Sequence, residues 1–85
     1  MFNKREARPM EKYTEEFRQL SLNISHYRKR KGLSQQELAE LLGISHNHLS
    51  QIEAPNISRA FSIKILFALA KELEIKLSTL CDFEK

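Results

Sequence analysis

The apolar residues of this chain recur at intervals of three and four, which is the spacing of one face of an α-helix. No segment of useful length alternates apolar and polar residues in the way that a half-buried β-strand does. Several apolar clusters follow one another, and each is flanked by residues that begin or end helices. The pattern therefore predicts an all-α fold.

The first predicted helix follows a polar segment, 1–12, that has few apolar positions and is expected to be a flexible basic arm. The domain itself is expected to span 13–85. Thr14 and Ser21 are alternative N-caps of this helix, and Gly32 is its expected C-terminal stop. Its inward face is marked by Phe17, Leu20, Ile24 and Tyr27.

Two short helices are predicted next, and both have N-terminal signals. Ser34 and Glu37 have the spacing of a capping box, in which the hydroxyl and the carboxylate each accept a hydrogen bond from a free backbone amide. The first short helix is expected to end at Gly43, where a tight turn needs a positive φ. Ser45 can then cap a second helix that runs to about Glu53.

The angle between these two helices depends on small and apolar positions at fixed spacing. Ala39 is small enough to let the second helix cross the first closely. A steep crossing would make the outer face of the second helix project from the domain. The apolar residues expected to hold the crossing are Leu38, Leu42, Ile44, Leu49 and Ile52.

The last part of the chain predicts a loop to about residue 61 and then two more helices. Ser62 can cap the first of these, whose apolar residues cover roughly 200° of its circumference. So wide an arc favours either a central helix or one whose spare face meets a second subunit. A short final helix is expected over 77–83. The residues of the arc are Ile63, Leu66, Phe67, Leu69, Ala70 and Leu73, with Ile65 at its margin.

Composition narrows the class of protein. With 85 residues and a single cysteine, Cys81, the chain can form no disulfide of its own, which suits a reducing cytoplasm. It has neither an apolar run near the ~20 residues of a membrane span nor an apolar N-terminal signal. A cytoplasmic protein without a membrane segment is expected.

Metal and catalytic sites are not predicted. His46 and His48 would point roughly 200° apart on a helix and so could not chelate one ion. His26 and Cys81 have no ligand spacing near them. No Ser-His-Asp arrangement and no glycine-rich phosphate loop is present, so neither an enzyme nor a cofactor is expected.

Charge is unevenly distributed along the chain. Residues 1–32 hold nine Lys or Arg against four Glu, whereas the remainder holds five against seven acidic residues, so the net charge of +3 comes from the N-terminal third. A basic end suits a partner with phosphates, and a solvated charged tail is the alternative.

The chain from about Ile24 to Leu80 resembles the phage repressor and Cro type of helix-turn-helix proteins, the XRE-like family. This resemblance implies a five-helix domain whose third helix, about 45–53, enters the major groove of double-stranded DNA, usually as a homodimer on a palindromic operator. It is carried by Tyr27-Arg28, Lys31-Gly32-Leu33-Ser34-Gln35, Leu38-Ala39, Leu42-Gly43-Ile44-Ser45, Leu49-Ser50-Gln51-Ile52-Glu53 and Leu69-Ala70-Lys71-Glu72-Leu73.

By position in that family, His46, Asn47 and Gln51 are the expected base-reading residues. Asn and Gln can each offer a donor and an acceptor to an adenine edge, with about 1–3 kcal/mol of discrimination per good pair. A histidine can pair with guanine in a similar way. An ordinary polar surface is the alternative, and the projection of the helix favours base reading.

The resemblance also implies contacts to the DNA backbone. The positive end of a helix dipole suits a phosphate at the start of the second helix. The chain departs from many relatives after Glu53, where Ala54-Pro55-Asn56 replaces an early glycine, so the path of the loop is left open. The residues expected to contact or position phosphates are Gln35, Gln36, Ser45, His48, Ser50, Asn56, Ser58 and Arg59.

Three further roles follow from the resemblance. Arg28 and Glu53 are expected to form a structural, partly buried ion pair. The N-terminal arm, with its basic residues, either lies along the DNA or has no function. A homodimer is expected to use the spare face of the fourth helix and the last helix, with Ile65, Leu77, Leu80 and Phe83.

Together these features predict a sequence-specific transcriptional regulator that represses or activates by occupying an operator. A repressor is expected, and a homodimer is the simplest assembly, because so short a chain has no room for a separate effector domain. The alternative is the same fold acting mainly as a protein-interaction module, such as an antitoxin or a coregulator. Specific binding to a short palindrome would distinguish the two.

Overall fold

Five helices and no strand are present in the part of the chain that the computed structural model describes, residues 14–55 and 62–83. The all-α, five-helix fold predicted from the sequence is confirmed. The arm over 1–12, Asn56, Ser58 and Arg59 lie outside the described residues, and their predicted roles remain predictions. The helices are α1 (Thr14–Arg30), α2 (Gln35–Leu42), α3 (His46–Glu53), α4 (Ile63–Leu73) and α5 (Leu77–Leu80).

Serine N-caps begin three of the helices, at Ser34, Ser45 and Ser62. Each hydroxyl accepts a hydrogen bond from the backbone N–H three residues later, at 3.0–3.1 Å. At Ser34 the capping box is complete, since the Glu37 carboxylate accepts from the Ser34 N–H at 2.8 Å. These bonds satisfy amides that a helix leaves unpaired at its start.

The turn between α2 and α3 is made by Gly43, whose φ is 74°. Its N–H donates to the Glu40 carbonyl at 3.2 Å, and the N–H of Ile44 donates to the Ala39 carbonyl at 3.0 Å. A left-handed residue with this pair of bonds ends α2 and redirects the chain within a few residues. The position of α3 therefore depends on this one backbone conformation.

Gly43→Ala is expected to lower the free energy of unfolding by roughly 1–2 kcal/mol, because a Cβ makes the left-handed conformation unfavourable. A Cβ at this position would meet nothing within 4 Å, so the cost comes from the backbone alone. Gly43→Asn should cost less, since asparagine tolerates this conformation. Urea denaturation followed by circular dichroism measures both; an alanine variant as stable as the asparagine variant would contradict this account.

The core takes one fully buried aliphatic side chain from each helix. Ile24, Leu38, Leu49, Leu69 and Leu80 are all 0% exposed. Burial of each such side chain stabilises the fold by about 1.5–3 kcal/mol relative to leaving it in water. Five short helices thus share a single core.

The burial of Leu80 corrects one sequence prediction. We expected Leu80 at a dimer surface, but α5 packs against α1 and α4 and directs this side chain into the core of its own chain. It therefore offers no surface to a partner. Ile65, Leu77 and Phe83 are half-buried against the core, and their role in a dimer remains a prediction.

The last helix is shorter than predicted and ends at Leu80 rather than near residue 83. The cause is Asn23 of α1, whose side-chain N–H groups donate to the carbonyls of Leu80 at 2.9 Å and Asp82 at 3.0 Å. Gln19 in turn donates to the Asn23 side-chain oxygen at 3.0 Å, which fixes the orientation of that amide. The C-terminal turn is therefore tied to α1 by side-chain bonds instead of continuing as a helix.

The end of α4 shows a second feature that the sequence did not indicate. Glu74 has a φ of 58°, the one positive φ of a non-glycine residue in the described segments. Its carboxylate pairs with the Lys31 ammonium, and the hydrogen bond and charge of Lys31 lower the pKa of Glu74. This exposed pair joins the C-terminal ends of α1 and α4.

The wide apolar arc of α4 is only partly used by the core. Leu69, Ala70 and Leu73 are buried, whereas Ile63 is 60% and Phe67 is 57% exposed. The two exposed residues are four positions apart and so share one edge of the arc. Within residues 14–55 and 62–83, no helix is long and apolar enough to cross a membrane.

Candidate nucleic-acid interface

One side of α3 is buried and the other faces solvent. Leu49 and Ile52 are 0% and 2% exposed and pack the helix against the core. On the opposite side, four polar residues are exposed, and Gln51 is half-buried at the edge of this surface. The exposed residues are His46, Asn47, His48 and Ser50.

The outer face of α3 carries no fixed charge. The one ionised carboxylate of the helix, Glu53, is only 6% exposed and belongs to the inner side. Amide, imidazole and hydroxyl groups can each form directional hydrogen bonds without the strong attraction that a charge has for phosphates. Such a face is suited to base edges.

A buried ion pair holds the C-terminal end of α3 on α1. Arg28 Nε donates to Glu53 Oε2 at 2.7 Å, and Arg28 Nη2 donates to Glu53 Oε1 at 3.1 Å. The third guanidinium nitrogen, Nη1, donates to the Leu33 carbonyl at 2.7 Å. Both charged residues are less than 10% exposed, so the pair is bidentate, satisfied and largely removed from water.

The side chain of Gln35 links this ion pair to the start of α3. Its Nε2 donates to Glu53 Oε1 at 3.0 Å, and its Oε1 lies 3.0 Å from Nε2 of His46. Gln35 is half-buried, so its side chain serves as a bridge between the two ends of α3. The phosphate contact of Gln35 remains a prediction. One of the two hydrogens of its NH₂ group is not used in these bonds and could be donated to a phosphate oxygen.

The other predicted phosphate residues lie near the starts of α2 and α3. Gln36 and Ser45 are exposed at these N-termini, where the first N–H groups of a helix have no intrahelical partner. The Ser45 oxygen accepts from the His48 N–H, so this side chain both caps α3 and lies at its solvent-facing end. His48 and Ser50 continue along the exposed face.

Sequence reasoning missed two features of this region. The bridge from Gln35 to His46 was not anticipated, although both residues begin helices on either side of one tight turn. Ile63 and Phe67 were included in the apolar arc, whose spare face was assigned to a dimer, but these two residues were not named as its exposed members. The signal for that pair was their spacing of four at the edge of an arc wider than one core contact needs.

The helices α2 and α3 are short and are joined by a tight turn, and α3 presents a neutral polar face to solvent. This arrangement defines a helix-turn-helix domain. The family model for helix-turn-helix proteins matches residues 24–80, and the chain belongs to this family, of the XRE/Cro/C1 type. The resemblance stated above is therefore confirmed. Proteins of this family are DNA-binding regulators rather than enzymes.

A curated relative agrees with this assignment. The chain is 41% identical over 59 residues to the HTH-type transcriptional regulator SinR of Bacillus subtilis (strain 168). The match covers 69% of this chain and 52% of that protein. The chain thus spans about half the length of the curated relative that it matches.

Proposed function

We propose that this chain is a sequence-specific DNA-binding transcriptional regulator that reads the major groove with α3. The observation that carries the proposal is the division of α3 into two sides: Leu49 and Ile52 hold it in the core, while its exposed face is polar and uncharged. The major groove, about 12 Å wide, admits one helix and presents a distinct donor and acceptor pattern for each base pair. Base reading is assigned to His46, Asn47 and Gln51.

The backbone contacts of this proposal come from the N-termini of α2 and α3. Gln36 and Ser45 are exposed there, and unpaired amides together with the positive dipole ends suit phosphate oxygens. Gln35, His48 and Ser50 complete this set. Such contacts fix the register of α3 on the duplex but carry no sequence information themselves.

The direct experiment is a selection of binding sites from random duplex DNA, followed by fluorescence anisotropy at a fixed salt concentration. One enriched sequence is expected, bound about a thousandfold or more tightly than a scrambled duplex of the same composition. If no sequence is enriched, or if both duplexes bind equally at every salt concentration, the proposed function is wrong.

We further propose that the regulator is a homodimer on a palindromic operator, where its occupancy represses transcription. A helix-turn-helix dimer places its two recognition helices one DNA turn, about 34–36 Å, apart. The exposed apolar edge of α4, formed by Ile63 and Phe67, supports a second copy as the partner, because it belongs to an apolar arc that is wider than the core uses. Ile65, Leu77 and Phe83, which are half-buried, are the other residues that we assign to the dimer.

Phe67→Ser is expected to weaken the dimer about 30-fold or more, because an aromatic side chain at the centre of an interface commonly contributes 2 kcal/mol or more. Sedimentation equilibrium over a range of concentrations measures the change. Leu22→Ser is the control, since Leu22 is an exposed apolar residue of α1, 37% exposed. A wild-type protein that stays monomeric at concentrations where it binds the palindrome would contradict the homodimer.

The second candidate function is a protein-interaction module, and the same exposed pair, Ile63 and Phe67, favours it. In that case the apolar edge of α4 would bind a different protein and α3 would show no base preference. The DNA selection distinguishes the two functions, since only a regulator that reads bases enriches one sequence.

A further inference from the structure

Four side chains form a line of hydrogen bonds that runs from α1 to the exposed start of α3. Arg28 bonds Glu53, Glu53 bonds Gln35, and the Gln35 oxygen lies 3.0 Å from Nε2 of His46. The first members are buried and the last is exposed. The line therefore connects the interior of the domain to a residue on the proposed base-reading face.

The direction of each bond along this line is fixed by chemistry. A guanidinium group can only donate, and the ionised carboxylate that it holds can only accept. The group of Gln35 that faces Glu53 is therefore its NH₂, and its carbonyl oxygen faces His46. Since that oxygen only accepts, Nε2 of His46 must carry a proton. The roles of the amide and of the imidazole thus follow from their partners.

This assignment determines what His46 offers to a ligand. A neutral imidazole has one N–H, and here that N–H is on Nε2 and is used within the protein. The other ring nitrogen, Nδ1, is then a bare acceptor, and it makes none of the hydrogen bonds found among residues 14–55 and 62–83. His46 itself is exposed, so Nδ1 is the atom available to DNA.

We infer that this line of hydrogen bonds fixes neutral His46 as an acceptor and makes it select a base that presents a donor in the major groove. Such donors are the exocyclic amines of cytosine and adenine, whereas guanine N7 and O6 and thymine O4 are acceptors and are disfavoured opposite Nδ1. Gln35 is then a positioning residue for base specificity. The inference rests on the proposed function and replaces the guanine pairing that histidine alone suggested.

Nuclear magnetic resonance tests the ring assignment without DNA. Long-range ¹⁵N–¹H correlation spectra at about pH 8, where histidine is largely neutral, distinguish the two ring tautomers. For His46 we expect a protonated Nε2 whose proton exchanges slowly enough with water to be observed. Gln35→Ala should abolish that proton signal and shift the ring nitrogens toward those of His48, an exposed histidine on the same helix that serves as an internal reference.

Site selection tests the effect on base preference. Wild-type protein is expected to enrich adenine or cytosine at one position of each half-site, and Gln35→Ala should reduce that preference about tenfold at this position alone. Ser78→Ala is the control, because Ser78 is an exposed neutral residue of α5, has no proposed contact with DNA and is outside the line of bonds. Circular dichroism establishes that each variant is folded.

Three results would overturn the inference. These are a proton on Nδ1 of His46, identical ring signals for His46 and His48 in the wild type, and an unchanged preference at every position in Gln35→Ala. If no DNA sequence is enriched at all, the proposed function and the base preference are both wrong. The ring assignment would then be judged by the resonance data alone.

Discussion

Arg28→Met is expected to lower the free energy of unfolding by roughly 3–5 kcal/mol, which is a large part of the stability of a small domain. The substitution keeps much of the aliphatic volume but removes the three nitrogens that bond Glu53 and the Leu33 carbonyl. Among residues 14–55 and 62–83, the Glu53 carboxylate, 6% exposed, would then keep only the neutral side chain of Gln35 as a side-chain partner. An uncompensated buried charge is the reason for the large effect.

Urea denaturation followed by helical circular dichroism measures this loss. Arg30→Met is the matched control, because Arg30 is an exposed arginine on the same last turn of α1, and its replacement should change the stability by less than about 0.5 kcal/mol. The double variant with Arg28→Met and Glu53→Leu should recover much of the lost stability, since it removes both charges together. If the free energy of unfolding of Arg28→Met is within about 1 kcal/mol of the wild-type value, this account is wrong.

Asn47→Ala is expected to weaken binding to the selected duplex by about 10- to 100-fold, with binding to scrambled DNA almost unchanged. The reason is that Asn47 is exposed on α3 and uncharged, so it can contribute hydrogen bonds to a base edge but little attraction to phosphates. Gln51→Ala should act in the same way at a different base pair. Neither substitution should alter the slope of affinity against salt concentration.

Fluorescence anisotropy with both duplexes over a series of salt concentrations measures these effects. Ser78→Ala is the control, since Ser78 is an exposed neutral residue on α5, which packs against α1 and α4. An equal loss of affinity for selected and scrambled DNA would assign Asn47 to the DNA backbone. Such a result would remove it from the base-reading set.

Much of the structural frame could be predicted because it depends on neighbours in sequence. The serine caps at Ser34, Ser45 and Ser62 bond amides three residues away, and the turn at Gly43 needs only one backbone conformation. Such interactions are readable from residue type and spacing. The ion pair of Arg28 and Glu53, 25 residues apart, was expected only from resemblance to the family.

The candidate site was predicted in part for the same reason. The helical period places His46 and Asn47 opposite Leu49 and Ile52, and the structure has the first pair exposed and the second pair buried. The period does not indicate what each side chain bonds. The hydrogen bonds that join Gln35 to Glu53 and to His46 were therefore not predicted.

The sequence by itself determined the number of helices, where four of them begin or end, and which side of α3 is polar, because each depends on contacts within one or two turns. Only the tertiary structure decided that Leu80 belongs to the core, that α5 stops early and that Gln35 joins Glu53 to His46. The bonds responsible join residues far apart in the chain, such as Asn23 to Leu80 across 57 positions and Gln35 to Glu53 across 18. Periodicity and capping signals depend on residues that are close in sequence, so they do not predict which distant residues come into contact on folding.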